Sequence, residues 1–203
     1  MKIICIGHNY VQHIKELNAA FPEEPVVFFK PDTAVLPSKT PFYLPEFSNE
    51  IHYEVEVLVK ISKHGKHIDS QFAHRYYEEI GLGIDFTARD LQRKFSEKGL
   101  PWEKCKAFDG SAVIGDFLPK SQFESINDLS FSLEKNGAIV QQSSTSDMLF
   151  KIDEIIAHLS TYFTLKQGDI IFTGTPSGVG KIEVNDRLEG FLENKPMFSV
   201  NIK

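Results

Sequence analysis

The stretch Ile51-His52-Tyr53-Glu54-Val55-Glu56-Val57-Leu58-Val59-Lys60 alternates well enough to read as one long β-strand. Successive side chains in a strand point to opposite faces, so Glu54 and Glu56 project from one side while Tyr53, Val55 and Val57 cover the other. Paired acids on a strand are commonly no more than a solvated face, and the surrounding sequence has to decide. Further along, Gly83-Ile84-Asp85-Phe86-Thr87-Ala88-Arg89-Asp90 carries a third acid. Here a strand over 80–86 meets a helix opened by Thr87, with Asp90 three residues on as a capping pair, and closed by Gly99 and Pro101. Asp85 therefore sits at a strand-to-helix junction. If its strand neighbours the first, Glu54, Glu56 and Asp85 converge to hold a hard divalent cation such as Mg2+ or Mn2+, leaving positions for water or substrate.

Outward from this pair, residues 2–6 read as a strand, and Asn9 as a helix N-cap with Gln12 at the third helical position, the helix running to about residue 20. On that helix His13 and Glu16 stand three positions apart and share a face, where the carboxylate orients the imidazole as a base. An isolated pair of this kind on a helix surface is mostly just solvated, so its position in the fold decides its role. Phe21-Pro22-Glu23-Glu24-Pro25 breaks the helix before a strand over 26–29, which Lys30-Pro31 closes. The polar run 62–67 reads as a turn with His64 and His67 facing solvent.

Segments 131–134 and 138–141 flank Asn136-Gly137, a strong hairpin signal because both residues tolerate positive φ. A helix over 152–162 follows. Gly168-Asp169 introduces a strand over 170–173, and the tail 187–202 supplies at least two more. Strands outnumber helices without a regular βαβ rhythm, which implies an α+β fold dominated by a mixed sheet, sandwich or roll.

A chain of 203 residues buries a substantial core and is read as one domain, residues 1–203. A formal charge of -6 with no dense Lys/Arg run argues against nucleic acid as a partner. Cys5 and Cys105 have no second cysteine nearby, which rules out a CxxC site and fits a reducing compartment. The apolar run at residues 1–7 is too short for a signal-peptide core, and no segment reaches the apolar length of a membrane span. The expectation is a soluble, cytoplasmic protein with no membrane partner. The glycine-rich loop Thr173-Gly174-Thr175-Pro176-Ser177-Gly178-Val179-Gly180 lacks the Gly-Lys-Ser/Thr ending of a phosphate-binding loop and reads as a substrate-binding turn.

Nearly end to end, the sequence resembles the fumarylacetoacetate hydrolase family, in particular its short branch that includes acylpyruvases and oxaloacetate decarboxylases or tautomerases. The carriers are Gly7-His8-Asn9-Tyr10 with His13 and Glu16, Phe29-Lys30-Pro31, Tyr53-Glu54-Val55-Glu56, Asp85 through Asp90, Gly99-Leu100-Pro101-Trp102, and the loop from Thr173 to Gly180. The resemblance implies the β-rich fold of the fumarylacetoacetase C-terminal domain. It further implies Glu54, Glu56 and Asp85 as ligands of Mg2+ or Mn2+, His13 and Glu16 as a catalytic dyad, and Lys106 as an active-site lysine. Lys30, Arg89, Gln92 and Thr175 match substrate-side or supporting positions. Read from the residues alone, Lys30 ends a strand, Arg89 pairs with Asp90 or another acid, and Gln92 is an exposed helix residue. His8 departs from the pattern: many relatives have Arg or Lys there, with a permanent charge that a histidine near its ordinary pKa of about 6.5 does not carry.

The implied substrates are small keto acids whose adjacent keto and carboxylate oxygens chelate the metal, acylpyruvates or 2-oxo dicarboxylic acids such as oxaloacetate. The implied reaction is hydrolysis or decarboxylation at a carbon-carbon bond, the cation stabilising the enolate left behind. An isomerase or tautomerase acting on a 2-hydroxy-dienoate or oxaloacetate is the alternative, and a noncatalytic metal-binding domain is a reading of another class. Relatives in the branch imply a homodimer, which would also hide a sheet edge.

Overall fold

The computed structural model describes residues 1–203 apart from residues 17 and 19. In chain order the strands are β1 (Ile3–Gly7), β2 (Val26–Lys30), β3 (Ile51–Tyr53), β4 (Val55–Ile61), β5 (Tyr77–Asp85), β6 (Thr87–Ala88), β7 (Ala112–Pro119), β8 (Ser130–Lys135), β9 (Ala138–Ser144), β10 (Ile170–Phe172), β11 (Gly180–Lys181), β12 (Arg187–Leu192) and β13 (Lys195–Asn201). The helices are α1 (Val11–Glu16), α2 (Ser70–Ala73), α3 (Arg89–Glu97), α4 (Glu103–Lys106) and α5 (Ile152–Tyr162).

A six-stranded sheet has the order β2-β1-β10-β4-β5-β7, a four-stranded sheet the order β13-β12-β8-β9, and a small three-stranded sheet the order β11-β3-β6. Within the large sheet β1 and β10 run parallel and every other neighbouring pair is antiparallel. This is the sheet-rich α+β fold that the strand count implied.

Alternation along the strands sorts the apolar side chains onto two faces. Ile4 and Ile6 of β1 and Val55, Val57 and Val59 of β4 join a large core with Ile152, Ile155 and Leu159 of α5 and with Phe131, Leu133 and Leu188 of the four-stranded sheet. Ile3, Cys5, Leu58, Ile170 and Phe172 point the other way into a smaller cluster. Each such side chain contributes roughly 1.5–3 kcal/mol on burial, enough to fix the register that carries the acids.

The hairpin at Asn136-Gly137 forms as expected, both residues holding positive φ, 56° and 79°. Helix α5 has the expected bounds, two strands follow at 187–192 and 195–201, and Gly99 ends α3 at φ 60°. His64 and His67 are exposed.

Four local expectations are corrected. The stretch 51–60 is two strands, because the chain leaves the pairing of β3 with β6 and β11 and enters that of β4 with β5 and β10, the break falling at Glu54. Asn9 does not cap α1. Its amide donates to the carbonyls of Phe150 (3.1 Å) and Thr173 (2.8 Å) and accepts from Phe150 N–H (2.8 Å), so it ties two distant loops together. Thr87 lies in β6, and Ala88 occupies the N-cap of α3. The Thr87 hydroxyl instead accepts from Lys106 Nζ at 2.6 Å, while Asp90 accepts from Ser48 and from the backbone N–H of Asn49 and Leu91. Finally, α1 spans Val11–Glu16. Of its expected continuation to residue 20, Leu17 and Ala19 lie outside the described residues.

Candidate active site

The switch at Glu54 and the end of β5 bring three acids together. Ligand-capable oxygens of Glu54, Glu56 and Asp85 all lie within 4.8 Å of one another, and all three residues are buried. The register of β4 against β5, with Val55 opposite Ile84 and Glu56 opposite Gly83, sets this convergence. Strand pairing thus places in one spot what the sequence separates.

Three cations surround the acids. Lys106 Nζ, at the end of α4, lies 2.7 Å from both Glu54 Oε2 and Asp85 Oδ2. The Arg89 guanidinium, at the start of α3, donates to Glu54 Oε1 through Nη2, to Gln92 Oε1 through Nη1, and to His52 Nδ1 at 3.4 Å through Nε. Lys30 Nζ stands 2.7 Å from Asp85 Oδ1 and also donates to Ser111 Oγ (2.9 Å) and the Lys106 carbonyl. Burial acts to raise the Glu54 carboxyl, yet Lys106 and Arg89 outweigh it and hold Glu54 well below the usual carboxylate range. Burial likewise acts to lower the Lys106 ammonium, and Asp85 and Glu54 overcome it and raise it.

Glu56 is different. Among the described residues its one hydrogen bond is from Gly174 N–H at 2.7 Å, and no basic group pairs with it. Burial, then the neighbouring Asp85 and Glu54, push its carboxyl well above the ordinary value. Asp85 Oδ1 is buried with Lys30 Nζ 2.7 Å away. An all-oxygen cluster with one uncompensated carboxylate fits a hard divalent cation, and Glu54, Glu56 and Asp85 are the residues that would hold it. Gly174 has to be glycine: at φ 102°, a Cβ there would stand 2.7 Å from Asn9 Cβ.

His13 of α1 is buried and Glu16 Oε2 lies 2.9 Å from its Nδ1. Glu16 Oε1 also accepts from Gly178 N–H at 3.1 Å, which latches α1 to the glycine-rich loop. His13, Arg89, Gln92, Lys106 and Thr175 line one pocket with the three acids. Lys30 is buried against Asp85 and is absent from that wall. Arg89 pairs with Glu54, and Asp90 is occupied elsewhere.

Phe28 and Gln141 were not singled out from the sequence, whereas His8 and Trp102 stand in the motifs quoted above. Phe28 and Trp102 wall the pocket beside His8, their rings 5.8 Å apart and edge to face. His8 holds φ 56°, and burial, then His13, lower its pKa, which removes the charge that Arg or Lys would supply there. Gln141 of β9 accepts from Val55 N–H at 2.9 Å and donates to Thr175 Oγ1 and the Pro176 carbonyl. Nothing in Gln141-Gln142 marks which of two adjacent glutamines faces inward. Both cysteines are buried and free, and no helix among the described residues is long and apolar enough to cross a membrane.

Comparison with known proteins adds the family to this geometry. The chain is 41% identical over 188 residues to oxaloacetate tautomerase YcgM of Escherichia coli, covering 92% of this chain and 86% of that protein. It is 39% identical over 187 residues to the mitochondrial oxaloacetate tautomerase FAHD1 of Homo sapiens, covering 92% and 85%. The crystal structure of fumarylpyruvate hydrolase from Pseudomonas aeruginosa in complex with Mn2+ and pyruvate superposes with a TM-score of 0.94 at 35% identity, covering 100% of this chain and 89% of that one. The family model for the fumarylacetoacetate (FAA) hydrolase C-terminal region matches residues 2–202, and with these likenesses the chain belongs to the fumarylacetoacetate hydrolase family.

Proposed function

We propose that this protein is a divalent-metal-dependent enzyme that moves a proton at the carbon beside the keto group of a small 2-oxo acid, interconverting the enol and keto forms of oxaloacetate. The observation that carries the reading is the buried His13 ring, held by Glu16, on the same pocket wall as Glu54, Glu56, Asp85 and Lys106. When bound, a cation such as Mg2+ or Mn2+ supplies Lewis-acid polarisation of the keto and carboxylate oxygens. Glu16 accepts the Nδ1–H of His13, so Nε2 carries the lone pair that takes the proton from carbon and delivers it to the enolate oxygen; in the reverse direction Nε2 takes the enol O–H proton and delivers it to carbon. Lys106 and Arg89 offset negative charge that develops on the substrate oxygens. The Gln92 carbonyl is taken by Arg89, which leaves its amide N–H groups for the substrate, and the Thr175 hydroxyl joins them. Lys30 supports Asp85 from behind.

The oxaloacetate tautomerase names of two relatives support this substrate class. Hydrolytic cleavage of an acylpyruvate is the second reading, favoured by the fumarylpyruvate hydrolase likeness and by a dyad equally able to draw a proton from water. There water adds to the distal carbonyl, the bond to the pyruvate methylene breaks with its electron pair left on that carbon, and an acid and pyruvate result. Decarboxylation of oxaloacetate needs no attacking water. A homodimer in a reducing, cytoplasmic compartment, with residues 1–203 as one catalytic domain, completes the proposal.

The test follows the ultraviolet enol absorbance of oxaloacetate and of acetylpyruvate, with product analysis, for wild type and His13→Ala, with Mg2+ or with chelator. The expected result is cation-dependent relaxation of the oxaloacetate enol without release of pyruvate, slowed by about 10²–10⁴-fold in His13→Ala. Pyruvate and acetate from acetylpyruvate, with no oxaloacetate tautomerisation, would replace the reading with hydrolysis. Turnover of neither substrate would leave a metal-binding domain without catalysis.

A further inference from the structure

Gln141 belongs to the hairpin of the four-stranded sheet, yet its side chain is 2% exposed and reaches into the seam between the two principal sheets. All three of its polar contacts are well formed. Oε1 accepts from Val55 N–H at 2.9 Å, and Nε2 donates to Thr175 Oγ1 at 2.9 Å and to the Pro176 carbonyl at 3.0 Å. This set fixes the amide orientation, since a flipped side chain would set an N–H against the Val55 N–H and an oxygen against the Pro176 carbonyl.

The consequence lies at Thr175. A hydroxyl has one hydrogen to donate and two lone pairs. One lone pair of Thr175 Oγ1 is occupied by Gln141, and the Thr175 hydroxyl donates to no group among the described residues. Thr175 is 4% exposed and lines the pocket of the three acids. A donor with an uncommitted hydrogen at that wall matches an anionic oxygen.

We infer that Gln141 is a positioning residue that sets Thr175 as a hydroxyl donor to a substrate carboxylate while its other end holds the backbone between Glu54 and Glu56. One amide thereby couples the substrate-side turn to the strand that carries two acids. Neither adjacent contact could be supplied by a shorter side chain from β9, because the amide spans from the Val55 backbone to the Thr175 loop. The inference rests on the proposed reading of Thr175 as a substrate contact.

The test is a double-mutant cycle on the full chain with Mg2+ present, using Gln141→Leu, Thr175→Val and the double variant. The probe is oxalate, whose two carboxylates present the chelating edge of a 2-oxo acid, with binding read by calorimetry. Each single variant is expected to weaken oxalate binding about tenfold, the scale of one lost hydrogen bond to a charged group, and the double variant to bind no more weakly than either single. The KM for oxaloacetate is expected to rise in parallel with kcat changed far less. Losses that multiply in the double variant, or a Gln141→Leu protein that binds as wild type, would overturn the inference and leave Gln141 a structural residue. Should leucine prevent folding, Gln141→Glu keeps the length and the Val55 contact while replacing the donor by an acceptor. The same loss, again not multiplied by Thr175→Val, is expected, and unchanged binding overturns the inference. Coupled oxalate binding in a protein that turns over neither oxaloacetate nor acetylpyruvate would sink the proposed activity and leave the role of Gln141 standing.

Discussion

At Glu56, folding stability and cation binding pull in opposite directions. Its carboxylate is 2% exposed and has one backbone hydrogen bond where Glu54 has Lys106 and Arg89. Burying a charge without a partner costs free energy that the fold alone does not return. Glu56→Gln keeps the shape and an oxygen for Gly174 N–H while removing that charge. In chelator the variant is expected to be more stable than wild type by about 1–2 kcal/mol, a rise in Tm of roughly 2–8 °C for a chain of this size. Calorimetric melting checks this, and a Tm below wild type in chelator would mean that the Glu56 charge is already compensated. The three acids were legible in the sequence because strand alternation and one junction residue suffice to line them up. The pairing of Arg89 with Glu54 was not legible, because it depends on where the start of α3 lands relative to the break at Glu54, which no local pattern encodes.

Elements are joined here by side chains that look unremarkable in the sequence. Asp169, just before β10, accepts from Lys2 N–H at 2.8 Å and Lys166 N–H at 2.8 Å and pairs with Lys2 Nζ at 2.5 Å, clasping the start of β1 to β10. Burial acts to raise its carboxyl, but the hydrogen bonds from Lys2 and Lys166 prevail and lower it. A lowered folded-state pKa stabilises the fold fully above the unfolded value of about 3.9 and loses that contribution as pH falls through the folded value. Asp169→Asn is therefore expected to cost about 1.5–3 kcal/mol near neutrality, the scale of hydrogen bonds to a charged group. The difference from wild type should shrink below about pH 4. Urea unfolding at several pH values measures it, and a difference that stays constant down to pH 2 would exclude the clasp as its source. Element existence was largely readable, as α5 and the Asn136-Gly137 hairpin demonstrate. The caps at Asn9 and Thr87 misled because both side chains satisfy distant partners, the carbonyls of Phe150 and Thr173 for one and Lys106 for the other. A capping residue identified by spacing alone cannot reveal that a long-range partner outcompetes the local N–H groups.

For the molecule as a whole, the site stands where the chain changes sheets. β3 belongs to the small sheet and β4 to the large one, Glu54 lies between them, and Gln141 enters from the third. Residues 51–61 keep their apolar alternation through the change, which is why the sequence read as one strand and why the break costs the core little. Acids from β4, from the break before it and from the end of β5 mean that a bound cation ties together segments that separate on unfolding. A ligand that binds only the folded chain stabilises it by about 2.7 kcal/mol at a hundred times its Kd. For a chain of this size the corresponding rise in Tm is roughly 5–11 °C. Melting wild type across a Mg2+ or Mn2+ series is expected to give a Tm that climbs with the logarithm of cation concentration, whereas Glu56→Gln, which lacks one of the three carboxylates, should respond far less. Na+ at matched ionic strength separates site binding from general screening of a chain with a formal charge of -6. Equal shifts with Na+, or equal responses from both proteins, would assign the buried acids to an ion network held by Lys106, Arg89 and Lys30 alone, and the metal-dependent chemistry proposed for this site would fall with it.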